Sequence, residues 1–172
     1  MSAAPTARRV WRFGDDINTD VLAPGLYFKS SMDEMARHCL EAVEPRFAKE
    51  VQPGDIVVAG ARFGVGSARE QAAMALVHLG VSAVLAVSFG RIFYRNALNF
   101  GLPALFFPAA ADIAQDERLT VDAVAGRIAS PATGRSWQVA GIPSHLMSMV
   151  AAGGLMPWLK QRLEADKKEL RQ

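Results

Sequence analysis

Residues 55–107 read DIVVAGARFGVGSAREQAAMALVHLGVSAVLAVSFGRIFYRNALNFGLPALFF, and this stretch decides the fold. Residues 55–59 form a short apolar run bounded by Pro53-Gly54 and Gly60, the pattern of a buried strand. A glycine-rich loop over 60–66 leads into a helix predicted for 67–79 and closed by Gly80. A second buried strand (83–88), a helix (91–100) stopped by Gly101 and Pro103, and a third strand (104–107) follow. Short crossovers between apolar strands predict a parallel sheet with right-handed connections.

Outward from this core the pattern changes. Val10, Trp11 and Phe13 suggest a short mixed strand, and residues 14–20 (GDDINTD) read as a turn-rich loop that concentrates polar side chains. A helix is predicted for 32–40, with Ser31 as its cap and Glu34 three residues on, and a second helical stretch for 42–49. Beyond the core, 119–123, 127–129 and 136–139 alternate between Ala125-Gly126 and Thr133-Gly134 turns, which predicts an antiparallel meander. A last helix runs from Leu155 to about Leu170, charged after Lys160. The fold class is α/β, with a parallel central sheet and an antiparallel C-terminal β segment.

Composition narrows function. At 172 residues and 51% hydrophobic content, one domain over 1–172 is expected. Nineteen Lys+Arg against 17 Asp+Glu give a net +2, with no basic excess for tracking nucleic acid. The single cysteine, Cys39, excludes an internal disulfide, a CxxC pair and a self-held iron–sulfur cluster. No apolar run follows Arg8 and Arg9, so no secretory signal is read, and the apolar stretches fall short of the roughly 20 residues a membrane helix needs. A cytoplasmic chain is expected. His38, His78 and His145 read as isolated helix-face or core residues, and the seven methionines as core packing.

The densest chemical signal is Phe63-Gly64-Val65-Gly66-Ser67-Ala68-Arg69-Glu70, between a strand and a helix. Glycines admit close backbone approach, and a helix start offers free N–H groups that favour an anion. Ser67 with Glu70 also matches a structural capping box, which needs no ligand. A dinucleotide fingerprint fails, because the third glycine position holds Arg69 and residues 71–111 contain no Asp or Glu. That acid-free stretch carries Arg91 and Arg95, one helical turn apart, and suits a di- or tricarboxylate. Arg69 and Arg91, each at a strand-to-helix junction, are the stronger candidates; Arg95 reads equally as a solvated face.

Five blocks in register, DDINTD (15–20), GDIVVAG (54–60), FGVGSARE (63–70), SFGRIFYRN (88–96) and GLP (101–103), together with AAGGL (151–155), resemble the small subunits of the 3-isopropylmalate dehydratase family in the aconitase superfamily. The resemblance covers nearly the whole chain. It implies a three-layer β/β/α swivelling domain that folds over the active site of a larger partner subunit, with a four-iron four-sulfur cluster on that partner and no metal on this chain. The implied reaction removes and re-adds water on a small hydroxy di- or tricarboxylate. Ser67 would abstract the proton alpha to a carboxylate, with Gly66, Arg69, Asp20 and Arg91 binding substrate. A serine is a poor base in water, so it needs cationic and N–H neighbours in a dry, closed site.

Departures bear on the substrate. The family commonly has a second serine at Ala68, a cysteine at Val65, a histidine at Gln71 and an alanine at Gly90. The specificity loop, with Leu26, Tyr27, Phe28, Lys29 and Met32, is apolar-rich and favours a branched hydrocarbon substituent, while Lys29 leaves an extra carboxylate open. The expected function is therefore 2-/3-isopropylmalate isomerisation in leucine biosynthesis. The alternatives are a paralogous dehydratase for homoaconitate or a methylated malate, and a non-catalytic anion-binding module of the same fold.

Overall fold

The computed structural model describes residues 6–169; readings of the first five residues and of the last helix at Leu170 lie outside the described residues. Seven strands, β1 (Arg8–Arg12), β2 (Ile56–Ala59), β3 (Ala83–Ala86), β4 (Ala104–Phe106), β5 (Arg118–Asp122), β6 (Arg127–Ser130) and β7 (Arg135–Gln138), form one sheet in the order β4-β3-β2-β1-β5-β6-β7. From β4 to β1 every pairing is parallel, and from β1 to β7 every pairing is antiparallel. The expected parallel core and antiparallel tail are both present, joined through β1.

The helices are α1 (Thr19–Leu22), α2 (Met32–Arg37), α3 (Phe47–Glu50), α4 (Glu70–His78), α5 (Arg91–Asn99), α6 (Ser144–Ala151) and α7 (Leu155–Glu169). Strands β2 and β3 are buried at every position because both of their faces are covered. Strand alternation deals their residues into two cores. Trp11, Val57, Ala59, Val84 and Ala86 pack against Ala72, Ala73 and Leu76 of α4 and Phe93 of α5. Val10, Ile56, Val58 and Leu85 face the other way, where Leu119, Ile128 and Met149 complete a second cluster. The antiparallel half thus lies over the face opposite α4 and α5, which gives the β/β/α layering.

Several local expectations give way to tertiary geometry. The helix predicted from residue 67 begins at Glu70. The one predicted for 32–40 ends at Arg37, and Leu40 then takes a φ of 60°, which no helix continues through. Of the 42–49 stretch only the single turn α3 is helical. Helix α6 was not legible, since its eight residues carry only Met149 and Val150 into the core. Met156, expected to pack inside, is 63% exposed on α7.

The buried Trp11 donates its indole N–H to Asp55 Oδ2 at 2.9 Å, and the Gln52 backbone N–H donates to the same oxygen at 3.0 Å. Asp55 is only 5% exposed, so each donor matters to its solvation. Replacing Trp11 by Phe is expected to lower unfolding stability by about 1–3 kcal/mol. Urea denaturation reads this as a lower midpoint with an unchanged slope; an unchanged midpoint would show that the indole N–H contributes nothing.

Candidate functional site

Beyond their carboxyl ends β1, β2 and β3 continue as three loops that run side by side: Asn18 bridges Val65 and Phe63 bridges Phe89, both in parallel sense. Asp20, Gly66, Ser67, Arg69 and Arg91 all follow these strand ends, where ligands bind in open parallel sheets. The polar run at 15–20 acts first as a clasp. Asp15 Oδ1 accepts the Ala61 N–H at 2.7 Å, and both Asp16 oxygens accept from the Arg62 guanidinium at 2.6 Å. Arg62 holds the Asp16 carboxyl below its ordinary range. Further along, Gly64 N–H donates to Ile17 O and Thr19 N–H to Val65 O.

This close approach leaves no room for side chains at several loop glycines, Gly66 and Gly90 among them. Gly66 has a φ of 120°, and a Cβ there would stand 2.9 Å from the Thr19 hydroxyl. Thr19 itself is buried, and its Oγ1 has no hydrogen-bond partner among the described residues. At Gly90 a Cβ would lie 2.6 Å from the Gly64 carbonyl oxygen, so the alanine common in the family would require these loops to part. Gly64, Val65, Gly66, Gly90, Arg91 and Ile92 line a shallow cavity of about 200 Å³.

Ser67 is exposed, and the Ser67–Glu70 capping box does not form. Helix α4 is capped by Arg69 in an extended conformation with no side-chain cap, while Arg69 N–H donates to the Ser67 carbonyl at 2.8 Å. The turn after Gly66 delays helix entry, so Glu70 opens the helix instead of standing in its third position. The Ser67 hydroxyl is thereby left without a capping duty. Asn18, by contrast, is the cap of α1 and accepts the Val21 N–H at 3.0 Å.

Arg69, with a side chain 20% exposed, is the centre of the polar cluster. It forms an ion pair with Asp20, donates to the Ala23 carbonyl at 3.3 Å, and lies 4.5 Å over the Phe28 ring. Asp20, Phe28, Ser67 and Arg69 therefore share one surface. Leu26 is 84% exposed and Lys29 is exposed on the same loop. Met32, the first residue of α2, lines a cavity of about 260 Å³ with Met74, Val77 and His78 of α4 and with Phe100. Arg91 and Arg95 are exposed on α5.

The histidines are not all isolated, which corrects the expectation from spacing. His38 Nδ1 lies 2.5 Å from Glu41 and Nε2 lies 3.4 Å from Glu34, while His78 pairs with Asp33 at 2.6 Å. The His38 ring also stacks on Tyr27, centroids 3.9 Å apart and planes 4° from parallel. The signal was present as Glu34 and Glu41 at helical spacing on either side of His38.

Among the described residues no cluster of three or more His, Cys, Asp or Glu side chains stands close enough to hold a metal. Cys39 is fully buried, and burial pushes its thiol well above the ordinary range, so it packs as a small apolar residue. The donor set of this chain does not fit an iron–sulfur cluster.

The clasp has a pH signature. Because Asp16 is held below its unfolded value of 3.8, its contribution is present above that pH and is lost as pH falls from there through the lower folded value. The difference in thermal midpoint between wild type and Asp16→Asn is expected to shrink on acidification from pH 5 to about pH 3, with added salt reducing it at every pH. A difference that grows on acidification would contradict the assignment.

Residues 20–110 match the Aconitase C-terminal domain family. The chain is 46% identical over 156 residues to a 3-isopropylmalate dehydratase small subunit from Moorella thermoacetica, covering 90% of this chain and 94% of that one. It is 44% identical over 149 residues to a methanogen homoaconitase small subunit from Methanothermobacter thermautotrophicus, covering 86% of each. A crystal structure of 3-isopropylmalate dehydratase (LeuD) from Methanocaldococcus jannaschii superposes with a TM-score of 0.89 at 36% identity, over 95% of this chain and 98% of that one. The chain belongs to the aconitase C-terminal domain family, among the small subunits of the 3-isopropylmalate dehydratase type.

Proposed function

We propose that this chain is the small subunit of a hydro-lyase that interconverts 2- and 3-isopropylmalate in leucine biosynthesis, inactive alone and working in the cytoplasm with a larger subunit. As a single swivelling domain it would close its site surface over that partner, which would hold the iron–sulfur cluster. The observation that carries this reading is the meeting of Arg69, Asp20 and Phe28 beside an uncapped Ser67, from segments 49 residues apart.

In the forward direction Ser67, as its alkoxide, takes the proton from the carbon alpha to a substrate carboxylate. The C–H electron pair becomes the new double bond as the C–O bond to the hydroxyl breaks, and the released hydroxyl is received on the large subunit. Rehydration at the neighbouring carbon runs the same steps in reverse. Arg69 binds the carboxylate through the guanidinium N–H groups that Asp20 does not occupy. Gly66 brings backbone close to the substrate, and Arg91 adds positive charge across the 200 Å³ cavity. Exclusion of water on closure strengthens each of these contacts.

Phe28 beside Arg69, with the exposed Leu26 two residues earlier on the same loop, presents apolar surface that suits a branched hydrocarbon substituent. The similarity to a homoaconitase small subunit, with Lys29 exposed on the same loop, supports a longer tricarboxylate as the second reading.

Reconstitution with the large subunit under anaerobic conditions, assayed on isopropylmalate, homoaconitate-type acids, citrate and methylmalates, tests both. Ser67→Ala is expected to lower kcat by at least about 100-fold, the scale of a lost general base, while the complex still assembles on size exclusion. Undiminished turnover would overturn the assignment of Ser67. Assembly without turnover of any hydroxy acid by the wild type would point to a binding module.

A further inference from the structure

We infer that His38 is a positioning residue for substrate binding: its imidazolium, stacked on Tyr27 and held between Glu34 and Glu41, sets the placement of Phe28 and through it of Arg69. The inference deepens the proposed function and rests on Arg69 being the carboxylate-binding group.

The geometry selects the charged ring. Both ring nitrogens face carboxylate oxygens, Nδ1 at 2.5 Å from Glu41 and Nε2 at 3.4 Å from Glu34. A neutral imidazole has one N–H, so one nitrogen lone pair would oppose a carboxylate; the doubly protonated ring satisfies both. Arg37 draws on Glu34 at 2.9 Å, which leaves Glu41 as the principal partner. Helix α4 presents its own histidine, His78, to Asp33 and not to His38. The Glu41 hydrogen bond raises the His38 pKa above its ordinary value, outweighing desolvation, with Glu34 adding to the same direction.

The consequence reaches the site through two rings. Tyr27 lies flat on the imidazolium at 3.9 Å, a cation–π arrangement. Its neighbour Phe28 lies 4.5 Å under the Arg69 guanidinium, which is paired with Asp20. Residues 25–27 form one turn of 3-10 helix, closed by Tyr27 N–H to Pro24 O and Phe28 N–H to Gly25 O, so the two aromatic residues move as a unit. Since the folded-state value is raised, the stack is intact below about pH 6.5 and weakens as pH rises through the raised value.

Two measurements test this. By NMR on the full chain, the His38 imidazole and Tyr27 ring signals should titrate with one midpoint above 6.5, and Glu41→Gln should move both midpoints down together. In the reconstituted complex, KM should rise about three- to tenfold through that midpoint while kcat stays within about twofold, as expected for loss of one partly exposed cation–π contact. His38→Phe keeps a stacked ring without the charge, and should show the raised KM at all pH values with no inflection. A Tyr27 signal indifferent to His38, or an unaltered KM profile in His38→Phe, overturns the inference. If the wild-type complex turned over no hydroxy acid, the proposed function would fail, and the Tyr27 titration would still decide whether His38 governs the loop.

Discussion

Strand β1 is the constraint on which the rest of the structure depends. It hydrogen-bonds on one edge to β2 in parallel and on the other to β5 in antiparallel sense, so within the sheet it joins the helix-covered half to the meander. Its residues divide accordingly: Trp11 packs under the helices and Val10 under the meander. Because β1 leads directly into residues 14–20, the same pairing carries Asp20 to the carboxyl end of β2. The register Val10↔Ile56, Trp11↔Val57, Arg12↔Val58 thus specifies which loop residues can meet.

Electrostatics then sorts the acidic residues of that loop into two tasks. Asp15 and Asp16 are consumed by Ala61 and Arg62 and hold backbone to backbone. Asp20, two-thirds exposed, meets Arg69, whose guanidinium is also seated on an aromatic ring and a carbonyl. Such a guanidinium is held in place from several sides and only partly neutralised. Residues 71–111 carry no Asp or Glu, so α4 beyond its first residue and all of α5 add no negative charge near this cluster.

Legibility followed the strength of the local signal. The strands at β2 and β3 were evident as short apolar runs between Gly and Pro, because burial on both faces demands that composition. The meander was evident from its turns. Helix boundaries fared worse where a backbone conformation intervened: Leu40 at positive φ ends one helix, and the turn after Gly66 moves the start of α4 from Ser67 to Glu70. A capping box is a spacing, and the same spacing served a loop here. The His38 partners lay at readable positions, yet the Tyr27 stack that gives them meaning joins two different elements.

The order of residues alone determined the α/β class, the parallel core with its antiparallel tail, and a chain with a single cysteine, because each is a matter of composition and short-range pattern. Tertiary structure alone decided that Asp20 pairs with Arg69, that Met32 lines a cavity with Met74 and Val77 of α4, and that Ser67 makes no helix cap. These depend on how β1 and β2 are paired and on backbone angles at single residues. Both are settled by the packing of the whole sheet, and neither is recorded in local sequence.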